Sequence, residues 1–214
     1  MINFIETFDD ALTTKDCDYI IDWMNQDGIC LPNKKEHKGE ILKDYSGIAI
    51  DALDLSSNKF PEHIAKNQEN DCLNVNSIIT SNLVKCIHKY VSIHPQLKLI
   101  NPWNYTPTYN LQKYNPGQGY HISHCENAGG PSLMRVLSWM IYLNTVNDEG
   151  ETSFDNYNMK TSAVEGSLLI WPAYWTHFHH GIMSSTETKY IATGWCSYAD
   201  SILESLIKSR YINN

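Results

Sequence analysis

The chain has 214 residues, of which 42% are hydrophobic, and this length predicts one domain around one well-buried core. Its formal net charge of −8 gives a mean field that repels phosphate backbones, which argues against a nucleic-acid partner. The first residues lack a basic signal-like stretch, and no apolar run approaches the roughly 18 residues that cross a bilayer, so we expect a cytoplasmic protein without a membrane partner.

The first part of the chain is predicted to be a support region of two helices and a few strands. Residues 1–12 indicate a short strand, and residues 13–25 indicate a helix with a threonine N-cap and apolar residues at 3–4 spacing. The polar stretch 32–44 predicts a mobile loop, whereas residues 46–55 alternate as in a strand. A second helix is predicted over 76–92, where apolar residues form one stripe.

The character of the sequence changes after Pro95. Aromatic and β-branched residues become frequent in short runs that Gly, Pro and Asn interrupt, which is typical of an antiparallel β-sandwich or barrel. Eight strands would suit a jelly roll with the two helices on one outer sheet. The predicted strands are 103–110, 111–114, 120–124, 135–144, 152–154, 167–171, 176–181 and 189–198. We therefore divide the single domain into a support region (1–95), a β core (96–198) and a C-terminal helix (199–214).

Histidine and carboxylate residues indicate a metal site in the β core. His124 and Glu126 are two positions apart, and in an extended segment such side chains leave the same face. The second histidine would come from the stretch 176–181, where His177 and His179 share a strand face. Two imidazoles and one carboxylate on one side of an ion leave the other positions open, as non-haem Fe(II) oxygenases require.

Six short motifs in unbroken order over about residues 100–198 resemble the 2-oxoglutarate and Fe(II)-dependent oxygenases, and specifically their prolyl 4-hydroxylase-like branch. Each motif is short, but their common order is hard to obtain by chance. The motifs are Tyr114-x-x-Gly117-x-x-Tyr120 with His124-x-Glu126, the strand Arg135–Asn144, the segment Glu149–Phe154, the segment Glu165–Trp171, His179, and Lys189–Trp195.

The resemblance implies a double-stranded β-helix, a cupin-like jelly roll, with Fe(II) held by His124, Glu126 and His179. It implies that 2-oxoglutarate chelates the iron and that Lys189 pairs with its far carboxylate. In the same way, Tyr142 matches a tyrosine whose hydroxyl reaches that carboxylate, and Tyr114 matches one that lines the pocket. A lysine that points into a barrel needs an anion there, because a buried unpaired ammonium is costly.

Two positions leave alternatives open. His179 precedes Lys189 by ten positions, the usual family spacing, and is therefore preferred to His177 as the second histidine ligand. The carboxylate is Glu126, where most of the family has aspartate. Its side chain is longer by one methylene, which leaves the metal geometry and the substrate specificity open.

The resemblance implies a dioxygenase that uses O2, with ascorbate as an additional cofactor that the family admits, to hydroxylate a C–H bond. The substrate is expected to be a prolyl residue in a peptide or a small amino-acid-like molecule, and the sequence leaves the oligomeric state open. The alternatives are a cupin-like metalloenzyme that does not use 2-oxoglutarate and a catalytically dead binding module on the same fold. Lys189 argues against the first alternative, since such an enzyme has no use for a buried cation opposite the metal, and intact His124, Glu126 and His179 argue against the second.

Overall fold

The computed structural model describes residues 2–199 of the chain. The C-terminal helix that the sequence predicts from residue 199 onward lies outside this range. Within it, none of the helices is both long enough and apolar enough to span a membrane.

The described residues form three α-helices and ten strands. The helices are α1 (Thr14–Met24), α2 (Ala52–Ser56) and α3 (Glu69–Ile93). The strands are β1 (Glu6–Phe8), β2 (Leu31–His37), β3 (Glu40–Asp51), β4 (Trp103–Tyr114), β5 (Arg135–Tyr142), β6 (Thr152–Phe154), β7 (Met159–Thr161), β8 (Leu168–Pro172), β9 (His179–Gly181) and β10 (Lys189–Tyr198).

The strands form two antiparallel sheets, as the sequence predicts. The larger sheet has the order β1-β8-β5-β10-β4-β3-β2, and the smaller sheet has the order β7-β6-β9. Side chains from both sheets meet in one apolar cluster that includes Met140, Leu169, Trp171 and Phe154. The predicted double-stranded β-helix is therefore confirmed, with its interior between the two sheets.

The outer face of the larger sheet carries the helices. Leu137, Trp139 and Ile141 of β5 belong to the core cluster that also holds the buried residues of α1 and α3, whereas Met140 and Tyr142 face the sheet interior. This two-sided burial follows from the period of two along a strand. Gly194 of β10 is required on the outer face, because a Cβ there would lie 2.7 Å from the Trp139 ring.

Both predicted helices are present. Thr13 caps α1 in a capping box with Asp16, which explains why the helix begins there. The second predicted helix, 76–92, is correct in type but begins seven residues too late, because α3 starts at Glu69 in a polar stretch. Its buried stripe extends toward the N-terminus through Cys72 and Val75.

The mobile loop predicted over residues 32–44 is wrong. The segment belongs to the hairpin β2–β3, and its turn at Lys38-Gly39 has positive φ at both positions, as in a type I′ turn. All of β2 is exposed at the sheet edge. Its side chains therefore carry no hydrophobic alternation, and the two-residue turn with glycine was the only local signal of the hairpin.

Several strand boundaries also differ from the prediction, most clearly in three places. The two strands predicted within 103–114 are one continuous strand, β4. The strand predicted over 120–124 is replaced by two isolated bridges, one at each end. The strand predicted over 176–181 begins only at His179, because Trp175–His177 form a 3-10 turn.

Candidate active site

The two histidines of the predicted metal site are cross-strand neighbours. His124 and His179 form an antiparallel bridge in which each backbone N–H donates to the carbonyl of the other, over 3.0 and 2.8 Å. Residues paired in this way project their side chains to the same face. The imidazole rings accordingly lie with their centroids 4.4 Å apart.

Glu126 completes a three-residue cluster on that face. Its Oε1 lies 3.3 Å from His124 Nε2 and 3.7 Å from His179 Nε2. One ligand atom from each of the three residues lies within 4.8 Å of the others. Residues 2–199 contain no second cluster of at least three such side chains that meets this criterion.

Backbone carbonyls fix the orientation of both imidazoles. His124 Nδ1 lies 2.8 Å from Ile122 O, and His179 Nδ1 lies 2.9 Å from His177 O. A carbonyl accepts only, so each Nδ1 carries a hydrogen, and each Nε2 faces Glu126 and can bind an ion once it carries no proton. This is the arrangement in which a histidine binds a metal and its other nitrogen is held by a second group.

The second oxygen of Glu126 is held by two donors. Trp195 Nε1 donates to Oε2 over 2.7 Å, and Arg135 NH1 donates to the same atom over 3.1 Å. The Arg135 guanidinium also stacks on the indole of Trp195, 3.6 Å from the ring centroid. The sequence showed both residues only as parts of strand motifs, because contacts between residues so distant in the chain have no local pattern.

The electrostatics keep Glu126 ionised. Burial alone would raise its pKa, but hydrogen bonds and charge from His124 and His179 lower the pKa of Glu126 well below its usual range. Burial likewise favours the neutral form of His124, yet the bond and charge of Glu126 outweigh it and raise the pKa of His124. The Glu126 carboxylate and the protonated His124 ring therefore stabilise each other.

This donor set fits a ferrous ion. Two imidazole nitrogens and one carboxylate oxygen from neighbouring segments match the 2-His-1-carboxylate triad of non-haem Fe(II) oxygenases, a donor set that catalytic zinc sites also use, and three protein ligands leave positions open that the four of a structural zinc site do not. Because the Nδ1 atoms and Oε2 are already hydrogen-bonded, the two Nε2 atoms and Oε1 are the atoms left to bind the ion. The residues present therefore suit the metal that the sequence implied.

His177 does not join the triad. The residue lies in the 3-10 turn before β9, and its Nε2 is 2.8 Å from Asn3 O and 3.2 Å from the hydroxyl of Tyr157. Burial lowers the pKa of His177, which is consistent with a neutral ring fixed by the backbone. The preference for His179 over His177 agrees with this geometry.

A cavity of about 430 Å³ opens beside the triad, and its inner part contains Lys189. This lysine is 7% exposed and donates to Gly150 O over 3.1 Å. Burial lowers the pKa of Lys189 to about 8, although the charge of Glu151 offsets part of the effect. An ammonium has three hydrogens to donate, so a single carbonyl leaves it able to receive the carboxylate of a ligand.

The two predicted tyrosines have different positions. Tyr114 lines the cavity, and its ring centroid lies 5.4 Å from Lys189 Nζ. Tyr142 is fully buried behind the lining, where its hydroxyl contacts Thr152 Oγ1 over 2.8 Å and Thr161 O over 3.2 Å. Thr152 itself lines the cavity, so the hydroxyl nearest the cavity at this point belongs to a residue that the sequence analysis did not select. The role of Tyr142 stays a prediction.

Another part of the cavity lining carries amide side chains and part of the hairpin. Asn110 and Gln112 of β4 lie beside Asn33, Lys43 and Tyr45 of the hairpin β2–β3 along the lining. Tyr45 accepts from Asn33 Nδ2 over 3.0 Å, which fixes two of these groups to each other. The segment that the sequence presented as a surface loop thus forms one wall of the site.

Residues 109–197 match the model of the 2OG-Fe(II) oxygenase superfamily. No curated protein sequence matches the chain. The matched residues include the metal cluster, Lys189 and most of the cavity lining, but not Asn33, Lys43 and Tyr45 of the hairpin β2–β3. The predicted resemblance to the 2-oxoglutarate and Fe(II)-dependent oxygenases is therefore confirmed.

Solved structures of several prolyl hydroxylases share the fold. A viral collagen prolyl hydroxylase from Paramecium Bursaria Chlorella virus-1, in complex with 2OG, is 16% identical with a TM-score of 0.61, over 92% of this chain and 97% of that chain. A Pseudomonas putida prolyl-4-hydroxylase is 12% identical with a TM-score of 0.60, over 92% and 94%. A Trichoplax adhaerens prolyl hydroxylase in complex with a hypoxia inducible factor peptide fragment is 14% identical with a TM-score of 0.62, over 99% and 88%.

Proposed function

Because residues 109–197 match the model of the 2OG-Fe(II) oxygenase superfamily, we propose that this chain is an Fe(II)- and 2-oxoglutarate-dependent dioxygenase that hydroxylates a prolyl residue in a peptide. The observation that carries the proposal is the convergence of His124, Glu126 and His179 at a cavity that also contains a buried lysine. This lysine donates to one backbone carbonyl and has further hydrogens to offer a ligand. A cupin-like metalloenzyme without 2-oxoglutarate has no use for that cation.

The side chains of the site have two roles: some would bind the metal and the co-substrate, and others would exclude water. His124, Glu126 and His179 would hold Fe(II), and Lys189 would receive the far carboxylate of 2-oxoglutarate. When bound, iron and co-substrate supply the oxidation by dioxygen that the protein's own side chains cannot perform. The protein orients the co-substrate between metal and lysine and surrounds it with the apolar side chains of Met140, Trp171 and Ile191.

The amide groups of the cavity lining support a peptide as substrate. Asn33, Asn110 and Gln112 each offer donors and acceptors of the kind that peptide bonds require. Of the three solved structures compared above, the viral one is a collagen prolyl hydroxylase and the Trichoplax one holds a peptide fragment. A small amino-acid-like molecule is the second substrate class that the same groups accommodate. Cytoplasmic localisation and the exclusion of nucleic acids remain predictions from composition.

Succinate release tests the proposal directly. Purified protein with Fe(II), ascorbate and 2-oxoglutarate is expected to release succinate in proportion to a prolyl peptide but not to the same peptide with alanine in place of proline. Mass spectrometry should show one added oxygen on the peptide. An anaerobic titration separates the rival functions, because a metal-dependent absorption band that appears only with 2-oxoglutarate requires both to bind. Absence of the band would support a binding module.

A further inference from the structure

A carboxylate outside the ligand set connects the two segments that carry the histidine ligands. Asp155, directly after β6, accepts a hydrogen bond from Ser123 Oγ through Oδ2, and its Oδ1 lies 3.1 Å from His180 Nδ1. Ser123 precedes His124 in the chain, and His180 follows His179. We infer that Asp155 is a positioning residue that sets the separation between His124 and His179. We call Asp155 with Ser123 and His180 the Asp155 bracket.

The main chain fixes Asp155 to one side of the site independently of its side chain. Its backbone N–H donates to Phe178 O over 2.9 Å, and the preceding Phe154 pairs with His179 in the smaller sheet. The carboxylate therefore starts from a position that is already defined relative to His179. What it adds is a connection to the other segment, through Ser123.

That other segment needs such a connection. His124 lies on a connection between β4 and β5 that contains no strand, and within residues 122–126 only His124 makes backbone hydrogen bonds to a distant segment. Outside this range, backbone bonds at Tyr120, His121 and Asn127 hold the two ends of the connection. The Ser123 side-chain bond lies between those points, one residue from His124, and restricts the rotation of the His124 backbone.

The two arms of the bracket are unequal. Ser123 donates a hydrogen bond, whereas the contact to His180 is close but does not have hydrogen-bond alignment at Nδ1. The carboxylate also lies between the hydroxyl and the imidazole, so His180 is not placed as a base for Ser123 and the cluster is not a nucleophilic triad. The side chains of Asp155 and His180 are each 33% exposed, so solvent weakens the charge interaction between them. The hydrogen bond from Ser123 is therefore the stronger of the two contacts.

Loss of the bracket should weaken metal binding without unfolding the protein. We expect Asp155→Ala to weaken metal affinity roughly three- to tenfold, which is the effect of one exposed hydrogen bond acting through the backbone. Asp155→Asn keeps an acceptor for Ser123 and should lose less. The inference rests on the proposed function, since the ion is what the bracket positions.

Isothermal titration of the metal-free chain with Mn²⁺ measures the effect, and Co²⁺ absorption bands report the coordination geometry. Asp71→Asn is the matched control, because Asp71 also accepts from a hydroxyl, that of Tyr19, but lies on α3 away from the metal cluster. Thermal unfolding of each metal-free variant shows that the chain remains folded. The expected order of affinity is wild type and Asp71→Asn, then Asp155→Asn, then Asp155→Ala, with the Co²⁺ bands altered in the last.

A double-mutant cycle identifies the Ser123 arm. Ser123→Ala should weaken Mn²⁺ binding by itself but cause no further loss in the Asp155→Ala background. Affinity within twofold of wild type for Asp155→Ala, together with unchanged Co²⁺ bands, would overturn the inference, as would fully additive losses in the cycle. If the wild-type chain itself bound no metal, the proposed function would fall as well, which distinguishes the two failures.

Discussion

Trp195 Nε1 donates a hydrogen bond to Glu126 Oε2 over 2.7 Å, and this bond determines which oxygen of the carboxylate faces the histidines. Arg135 NH1 donates a second hydrogen bond to the same oxygen over 3.1 Å. Oε1 is left toward His124 and His179. The glutamate is thus held so that it offers one oxygen to an ion, which keeps the remaining coordination positions open for co-substrate and dioxygen.

Removing the indole donor should loosen this arrangement. Trp195→Phe keeps a ring for Arg135 to stack on but removes the N–H, so Glu126 can rotate and lose its preferred orientation. Groups that orient metal ligands typically contribute 10- to 100-fold in metal affinity, and we expect a loss of about tenfold. Anaerobic Fe(II) titration of the apoprotein measures it.

Trp103→Phe is the control for the indole donor. Trp103 Nε1 donates to Leu97 O over 3.1 Å, and Trp103 does not line the cavity. This variant should lose a little stability and no metal affinity. Equal affinity losses in the two variants would show that Trp195 acts through general packing and not through Glu126.

The length of the Glu126 side chain is a second testable feature. Glu126→Asp retains the charge and matches the residue that most of the family has at this position, but it shortens the arm by one methylene. The shorter carboxylate cannot reach Trp195 Nε1 and the point between the imidazoles together. We expect roughly tenfold weaker Mn²⁺ binding by calorimetry. Unchanged or tighter binding would mean that the two donors to Oε2 do not constrain the ligand.

The two buried histidines before and in β9 allow a matched comparison. His179→Ala removes a converging Nε2 and should abolish metal binding at micromolar concentrations and with it succinate release. His177→Ala removes a ring that is bonded to Asn3 O, so it should lower the free energy of unfolding by about 1–3 kcal/mol and leave metal binding in place. Calorimetry and urea unfolding check the two effects, and the reverse pattern would transfer the ligand role to His177.

Much of the site could be predicted from sequence because its signals are local. The i, i+2 spacing of His124 and Glu126 places both on one face in any extended segment, although the segment is an isolated bridge and not the predicted strand. The inward face of β10 follows in the same way from alternation, and it carries Lys189 and Trp195 into the cavity. Short-range periodicity therefore defined which side chains face inward.

The remaining features depend on contacts that periodicity does not record. Strand β2 is held at the sheet edge by backbone hydrogen bonds to β3, so its exposed side chains have no apolar pattern to reveal the hairpin. The bonds of Glu126 to Arg135 and Trp195, and of Asp155 to Ser123, join residues from different strands and loops. Such groups are identified only when the fold brings them together.

The buried ammonium of Lys189 should govern affinity for 2-oxoglutarate. Lys189→Met keeps the length and apolar volume of the side chain but removes the charge. A charge-assisted hydrogen bond is worth about 1.5–3 kcal/mol, so the Kd of 2-oxoglutarate should rise about 10- to 100-fold. Metal affinity should stay within about twofold, since Lys189 is not a ligand. Calorimetry with Mn²⁺ and then with 2-oxoglutarate separates the two, and equal loss of both would contradict the role of Lys189.

The affinity for 2-oxoglutarate should also depend on pH through Lys189. Burial lowers the pKa of Lys189 to about 8 in the ligand-free site, so the ammonium that receives the carboxylate is lost as pH rises through that value. Affinity should be constant below about pH 7 and fall up to about tenfold per unit well above pH 8.

The same shift has a defined sign for stability. The unfolded chain keeps the Lys189 proton up to its ordinary pKa near 10.5, so between about pH 8 and 10.5 the unfolded state binds more protons than the folded state. The contribution of Lys189 to the free energy of unfolding therefore rises with pH in that window.

Lys189→Arg supplies the control for the pH dependence of 2-oxoglutarate affinity, because a guanidinium stays charged throughout. The 2-oxoglutarate Kd of the arginine variant should be flat from pH 6.5 to 9.5 by calorimetry, and a flat profile in the wild-type chain would contradict the assignment.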